Sequence, residues 1–319
     1  AFFLYVLVGL YMARRHLRNV ASKVLFDSPE IDDSNEIMRY RPAALLLGLS
    51  LATMLVFLIK AGMTLWAAAA LIAIVIVLHL GLTRFVIEGG LVLAQPPVAG
   101  GAIMIGLFGA DNLGVTTLAA LTAAGVFISQ MRSGFTPCFA NVAKLSENEK
   151  LRRGALLRAT VYGLLFGSLF CLIYYIWQSY HQGAIYSERS LLRDSGRTYY
   201  QTVVYAMENL HGPHEKRLLW GGIGMALMAI LTIGRYNLAW WPLHPIGLPI
   251  GPTWTGQTVM LSFFVAWLAK TLIIRMGGVP LFIKAKPFFF GLLIGHLVAV
   301  GVGYLVDCIT GPPGLTLYF

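Results

Sequence analysis

Apolar runs of roughly twenty residues recur along this chain, each closed by a short polar or basic stretch. A helix needs about 20 residues to cross the hydrocarbon core of a bilayer. The pattern therefore predicts membrane spans at 1–13, 43–59, 63–83, 91–109, 113–130, 159–180, 218–234, 257–274 and 288–306. The fold class that follows is all-α, a polytopic transmembrane helix bundle of about eight or nine spans with two Pro/Gly-broken segments. The first run, AFFLYVLVGLYMA, begins without Met and with no charged region before it, unlike a signal peptide. It reads as a truncated span, and residues 1–319 as a single transmembrane domain from the C-terminal part of a longer polypeptide.

Charge orients the runs. Arg14 to Arg41 holds six Lys/Arg and Lys144 to Arg158 holds five, which marks both as cytoplasmic by the positive-inside rule; the four spans between them agree. Residues 181–217 then form an extramembrane loop on the outer side, although they too carry five basic residues. This stretch reads as a solvated loop on the membrane surface, or as short helices with Tyr and Val side chains on one face.

Two stretches break the apolar pattern: RFVIEGGLVLAQPPVAGG, residues 84–101, and RYNLAWWPLHPIGLPIGPTW, which opens residues 235–255. Each follows an apolar run ended by a single arginine and is rich in Pro and Gly. Unpaired backbone groups in hydrocarbon cost several kcal/mol, so irregular chain at membrane depth survives only when buried in protein or lining a cavity. Paired broken helices in two halves of a chain point to a transporter's binding site. The competing reading is that prolines kink ordinary spans and the tryptophans form an interfacial belt.

Within these stretches Arg84 and Glu88 stand four apart, on one helix face if the preceding helix continues, and form a candidate ion pair. Intramembrane ionisable groups are costly and mark pathways or sites. Glu88, Arg84 and Arg235 are thus the candidates for coupling-ion binding or gating, and Trp240, Trp241, His244 and Gln95 for substrate binding. Arg84 reads equally as the end of a span, snorkelling to the headgroups, and His244 as a structural hydrogen-bond donor. His79 and His296 fall inside spans and are expected to bond to neighbouring helices. Asp111 and Asn112 lie in a GADNLG turn. Lys270 is expected to snorkel, and Arg132 and Asn141 are weaker gate candidates in QMRSGFTPCFANVAK.

Composition sharpens this picture. The chain is 57% hydrophobic and 12% charged, against about 25% charged in an ordinary soluble domain. Its net charge of +10 resides in the loops, so orientation in the membrane explains it and a nucleic-acid partner does not. Cys138, Cys171 and Cys308 are too few and too scattered for a disulfide framework or a thiolate metal site. HEKRL at His214 fails the H-E-x-x-H pattern and is expected in a loop; no nucleotide-binding or nucleophile-elbow motif occurs. No catalytic residue, metal or cofactor is expected.

WWPLHPIGLPIG, followed by FFVAWLAKTLIIRMGGVPLFIKAKPFFFGLLIGHLVAVGV, resembles a family of uncharacterised bacterial polytopic membrane proteins that is distantly similar to the oligopeptide transporters. The likeness covers Arg235 to Asp307, and FVIEGG at Glu88 looks like an earlier landmark of the same family. It implies a multi-span, transporter-like architecture in a bacterial cytoplasmic membrane, from a protein about twice this length, and it carries no substrate residue across. The expectation is a transporter of a small organic solute, peptide-like or a metal chelate, coupled to protons or cations. The alternative is a non-transporting subunit of a larger membrane complex. The partners expected are the lipid bilayer, the solute, and a second copy or other membrane subunits.

Overall fold

A computed structural model describes residues 1–28, 31–34, 36–90, 94–128, 135–148, 153–183, 195–209, 212–213 and 215–310. Arg132 and His214 lie outside the described residues. Among those described the chain is helical and has no strand. The helices are α1 (Phe2–Met12), α2 (Arg14–Phe26), α3 (Tyr40–Lys60), α4 (Leu65–Gly89), α5 (Gly100–Phe108), α6 (Ala110–Ile128), α7 (Phe135–Asn148) and α8 (Arg153–Gln178), which ends in a π-helical turn, Ser179–Gly183. They continue with α9 (Ser195–Glu208), α10 (Glu215–Asn237), α11 (Gly247–Ile250) and α12 (Trp254–Thr310). Contacts divide the chain into Ala1–Gln257 and Thr258–Phe319.

Among the described residues five helical stretches are long and apolar enough to cross a membrane: Tyr40–Lys60, Leu65–Gly89, Gly154–His181, Glu215–Asn237 and Gly256–Val306. The last has 51 residues, the length of two crossings, and its backbone breaks at Gly278 (φ 64°, ψ −162°). The runs expected at 257–274 and 288–306 are thus the two arms of α12. The run expected at 91–109 differs more: its described residues 94–99 are irregular, because Pro96 and Pro97 do not sustain a helix, and the nine-residue α5 starts only at Gly100 and closes at Gly109 (φ 80°, ψ 152°). A second glycine, Gly114 (φ 72°, ψ 156°), breaks α6 after one turn, so the GADNLG turn is a short helical piece between two glycine breaks.

The core of the first unit is built on α4. Its buried residues Ala67, Ala68, Leu71, Ile72, Val75, Leu78, Leu82 and Val86 recur at helical spacing. Met104 of α5 and Leu118, Leu121 and Ala124 of α6 pack against that stripe in one cluster. Val203 and Ala206 of α9 join the same cluster, so residues 195–208 form a packed helix and not a solvated loop. By contrast α8 and both arms of α12 turn large apolar side chains outward, among them Phe166, Phe170, Phe264 and Phe288. Water would not tolerate so much apolar surface; lipid does.

His79 bonds through Nδ1 to the Val75 carbonyl of its own helix at 3.0 Å, not to a neighbour, because α4 supplies an acceptor one turn back. His296 is exposed. Lys270 and Lys286 both approach the Phe282 ring, at 5.8 and 5.4 Å, within the second unit. HEKRL enters α10 at Glu215, since an acidic residue in the first turn suits the positive end of a helix. Asn141 is exposed on α7.

Candidate functional site

The site is assembled around α1. This helix runs beside α10 in the same direction: Ala1 lies next to Gly224, and the Tyr236 hydroxyl donates to Met12 Sδ at 3.3 Å. On its other flank Phe2 and Tyr5 grip Phe85 of α4, Phe2 edge-on at 4.8 Å and Tyr5 stacked at 4.9 Å. Gly81 makes this approach possible, because a Cβ there would overlap the Phe2 ring. Phe85 is 1% exposed, Tyr5 4% and Met228 of α10 buried outright. Burying aromatic rings this fully contributes about 1.5–3 kcal/mol each, which fixes α1 between α4 and α10.

α4 continues past the point where a span was expected to end, so Arg84 lies inside the helix and four residues from Glu88 on the same face. Arg84 Nε donates to Glu88 Oε1 at 2.5 Å, and its Nη1 donates to the Tyr5 carbonyl at 2.9 Å. The guanidinium also covers the Tyr5 ring, 4.1 Å from its centroid, and the Tyr5 hydroxyl donates to Glu88 Oε2. A carboxylate in the last turn of a helix sits at the negative end of the helix dipole. Glu88 is stable there because both its oxygens are taken, one by a cation and one by a hydroxyl.

A cavity of about 130 Å³ opens beside this tie, lined by Tyr5, Val8, Arg84, Glu88, Thr232, Arg235, Tyr236, His244 and Pro245. Four of the residues singled out in the sequence, Glu88, Arg84, Arg235 and His244, therefore meet at one place. Of the stretch 84–101 only its helical start, Arg84 and Glu88, reaches the cavity; Pro96 and Pro97 do not line it. The cavity lies at helix ends: Arg84 and Glu88 are in the last two turns of α4, and Arg235 is in the last turn of α10. Arg235 is exposed and has no carboxylate within ion-pair reach among the described residues.

After α10 the chain is irregular until the single-turn α11, because Pro242 and Pro245 cannot continue a helix. The Ile246 amide donates to His244 Nδ1 at 3.3 Å, which leaves Nε2 as the ring's protonated nitrogen. Trp240, Trp241 and Gln95 do not line the cavity. Trp240 is 73% exposed. Trp241 lies over Gly234, where only a glycine leaves room for the indole, and its Nε1 is buried without a partner among the described residues. Gln95 is half-buried in the loop before α5.

Sequence reasoning missed Tyr5, Thr232 and Tyr236. A tyrosine inside an apolar run was the available signal for Tyr5, since a buried phenol needs a partner for its hydroxyl. Thr232 was legible as sharing a helix face with Arg235, three residues on, and with Tyr236, four residues on. Among the described residues no group of three or more His, Cys, Asp or Glu comes together as metal ligands.

No curated protein and no solved structure matches the chain. A family described as being of unknown function, DUF6785, matches residues 1–319, and the chain belongs to that family.

Proposed function

We propose that the protein is a transporter of a small organic solute, peptide-like or a metal chelate, in a bacterial cytoplasmic membrane, with transport coupled to protons or another cation. The observation that carries this reading is the shared cavity. Ionisable side chains from α4, α10 and the proline-broken link after α10 converge on it, and such groups beside a membrane span are kept for pathways and sites. The likeness of WWPLHPIGLPIG and its C-terminal neighbours to a family distantly similar to oligopeptide transporters points the same way.

In this mechanism Glu88 is the coupling group. Ionised, it holds Arg84 and the Tyr5 hydroxyl and so ties α1 to α4. Protonation removes the charge, weakens both bonds, and lets α1 and α10 shift against α4 as a bundle. Deprotonation restores the tie. The cavity exchanges solute between these two states, which is the rocking of one group of helices against another.

Uptake into proteoliposomes under an imposed pH gradient tests the proposal, with labelled dipeptides and ferric citrate as probes. The wild-type protein is expected to accumulate a probe above empty liposomes, and Glu88→Gln to lose the pH dependence. Unchanged pH dependence in Glu88→Gln removes Glu88 from the mechanism. Absence both of uptake and of any probe-dependent gain in thermal stability removes the transporter reading.

One observation favours the alternative of a non-transporting subunit: every oxygen of Glu88 and the Nε of Arg84 are satisfied within the chain, as in a purely structural tie. A stoichiometric partner set retained in mild detergent would support it.

A further inference from the structure

We propose that the cavity beside the Arg84–Glu88 tie is an oxyanion seat, in which the Arg235 guanidinium and the His244 Nε2–H hold the carboxylate or phosphate end of the solute. The inference rests on the transport reading for the solute's passage, and on the site alone for the binding.

Charge is the first argument. Two guanidiniums and one carboxylate line the cavity, so one positive charge is in excess. Arg84 and Glu88 neutralise one another, and each Glu88 oxygen already accepts a hydrogen bond within the chain. The excess therefore belongs to Arg235. Its fork of donors is the natural complement of a carboxylate or phosphate.

The remaining donors agree. His244 Nδ1 accepts the Ile246 amide, so the ring presents a donor and not an acceptor from its other nitrogen. Thr232 gives its proton to the Met228 carbonyl at 2.7 Å, which leaves its oxygen as a minor acceptor. Tyr236 gives its proton to Met12 Sδ. Among the described residues nothing takes the Arg235 guanidinium or the His244 Nε2–H, so both nitrogen donors face the cavity unpaired.

Size is the second argument. The cavity measures about 130 Å³. Sites for whole drug-sized molecules run to about 300–1,000 Å³. The cavity fits a charged end group and not a complete peptide or chelate, so the rest of the solute lies outside it, past the exposed Arg235 and His244.

The test is thermal unfolding of the purified full chain in detergent at constant ionic strength, titrating sodium succinate and, separately, inorganic phosphate against sodium chloride. A saturable rise in unfolding temperature with at least one of them is expected, and the one that acts identifies the oxyanion. Arg235→Gln is expected to weaken the apparent affinity about tenfold or more, and Arg235→Lys by less, because the charge stays but the fork is lost. His244→Ala is expected to weaken it by a smaller factor. If Arg235→Gln does not fold, Arg235→Lys against wild type carries the comparison.

Wild-type protein indifferent to both anions beyond the chloride control, or arginine variants that bind as wild type does, overturns the proposal. Its failure is separable from that of the transport reading. Uptake of a neutral or cationic probe without anion binding leaves transport standing and removes the seat. Anion binding without uptake of any probe does the reverse.

Discussion

Arg84 and Glu88 are expected to be strongly coupled, and the sign of that coupling is the informative quantity. Their side chains are 22% and 34% exposed. A hydrogen bond to a charged group contributes about 1.5–3 kcal/mol when shielded; for groups this accessible solvent screening brings it to roughly 1–2 kcal/mol. Glu88→Met leaves Arg84 its bond to the Tyr5 carbonyl and its place over the Tyr5 ring, so a cost of about 1 kcal/mol is expected. Arg84→Met is worse, at about 2 kcal/mol, because it strands a carboxylate at the negative end of α4 with only the Tyr5 hydroxyl. The double variant strands nothing and is expected to cost less than the sum by about 1–2 kcal/mol. Denaturant unfolding in mixed micelles, followed by the fluorescence of the seven tryptophans, measures all four proteins. Additivity to within about 0.5 kcal/mol would refute the tie as described.

Other outcomes follow from single contacts. Gly81→Ala pushes a methyl into the Phe2 ring and is expected to cost about 1–3 kcal/mol, with most of that cost absent in a Phe2→Ala background; equal costs in both backgrounds would contradict the close approach. Phe85→Ala, at a residue 1% exposed, is expected to cost about 3–5 kcal/mol and to loosen α1, seen as faster proteolysis of the α1–α2 region. Gly278→Ala places a side chain at φ 64°, ψ −162°, a backbone region open essentially to glycine alone, and is expected to cost about 1–3 kcal/mol in the same unfolding assay. Asp33→Ala removes the carboxylate that accepts the Tyr40 amide at 3.0 Å at the start of α3; a loss of about 1 kcal/mol is expected, read as faster amide exchange in that first turn.

The parts of this architecture that lay open in the sequence are those governed by local rules. Apolar run length gave the bodies of α3, α4, α8 and α10, since span length is set by bilayer thickness, but not the end of α4 at Gly89 or the start of α8 at Arg153. The four-residue spacing of Arg84 and Glu88 gave their shared face once α4 was continuous. What stayed hidden depended on tertiary contact. Nothing local in Phe2–Met12 says that Tyr5 would reach an acid 83 residues away. The α9 helix reads as polar, and only Val203 and Ala206 meeting α6 make it part of the core. Trp240 and Trp241 misled because their size suggested pocket walls; Trp241 instead fills the groove left by Gly234, while Trp240 points outward. Gly114 broke the run expected at 113–130, and Gly109 parted α5 from α6, because positive φ is a backbone choice that a hydropathy pattern does not register.

The central claim is that an accessible recess lies between the ends of α4 and α10. Cysteine accessibility at Thr232, in a chain whose Cys138, Cys171 and Cys308 have been replaced, measures it in intact membrane vesicles with a membrane-impermeant methanethiosulfonate. Reaction at position 232 in the folded protein is predicted, with a cysteine at the fully buried Thr117 remaining silent. A position 232 as silent as 117 until the protein is unfolded would contradict the claim.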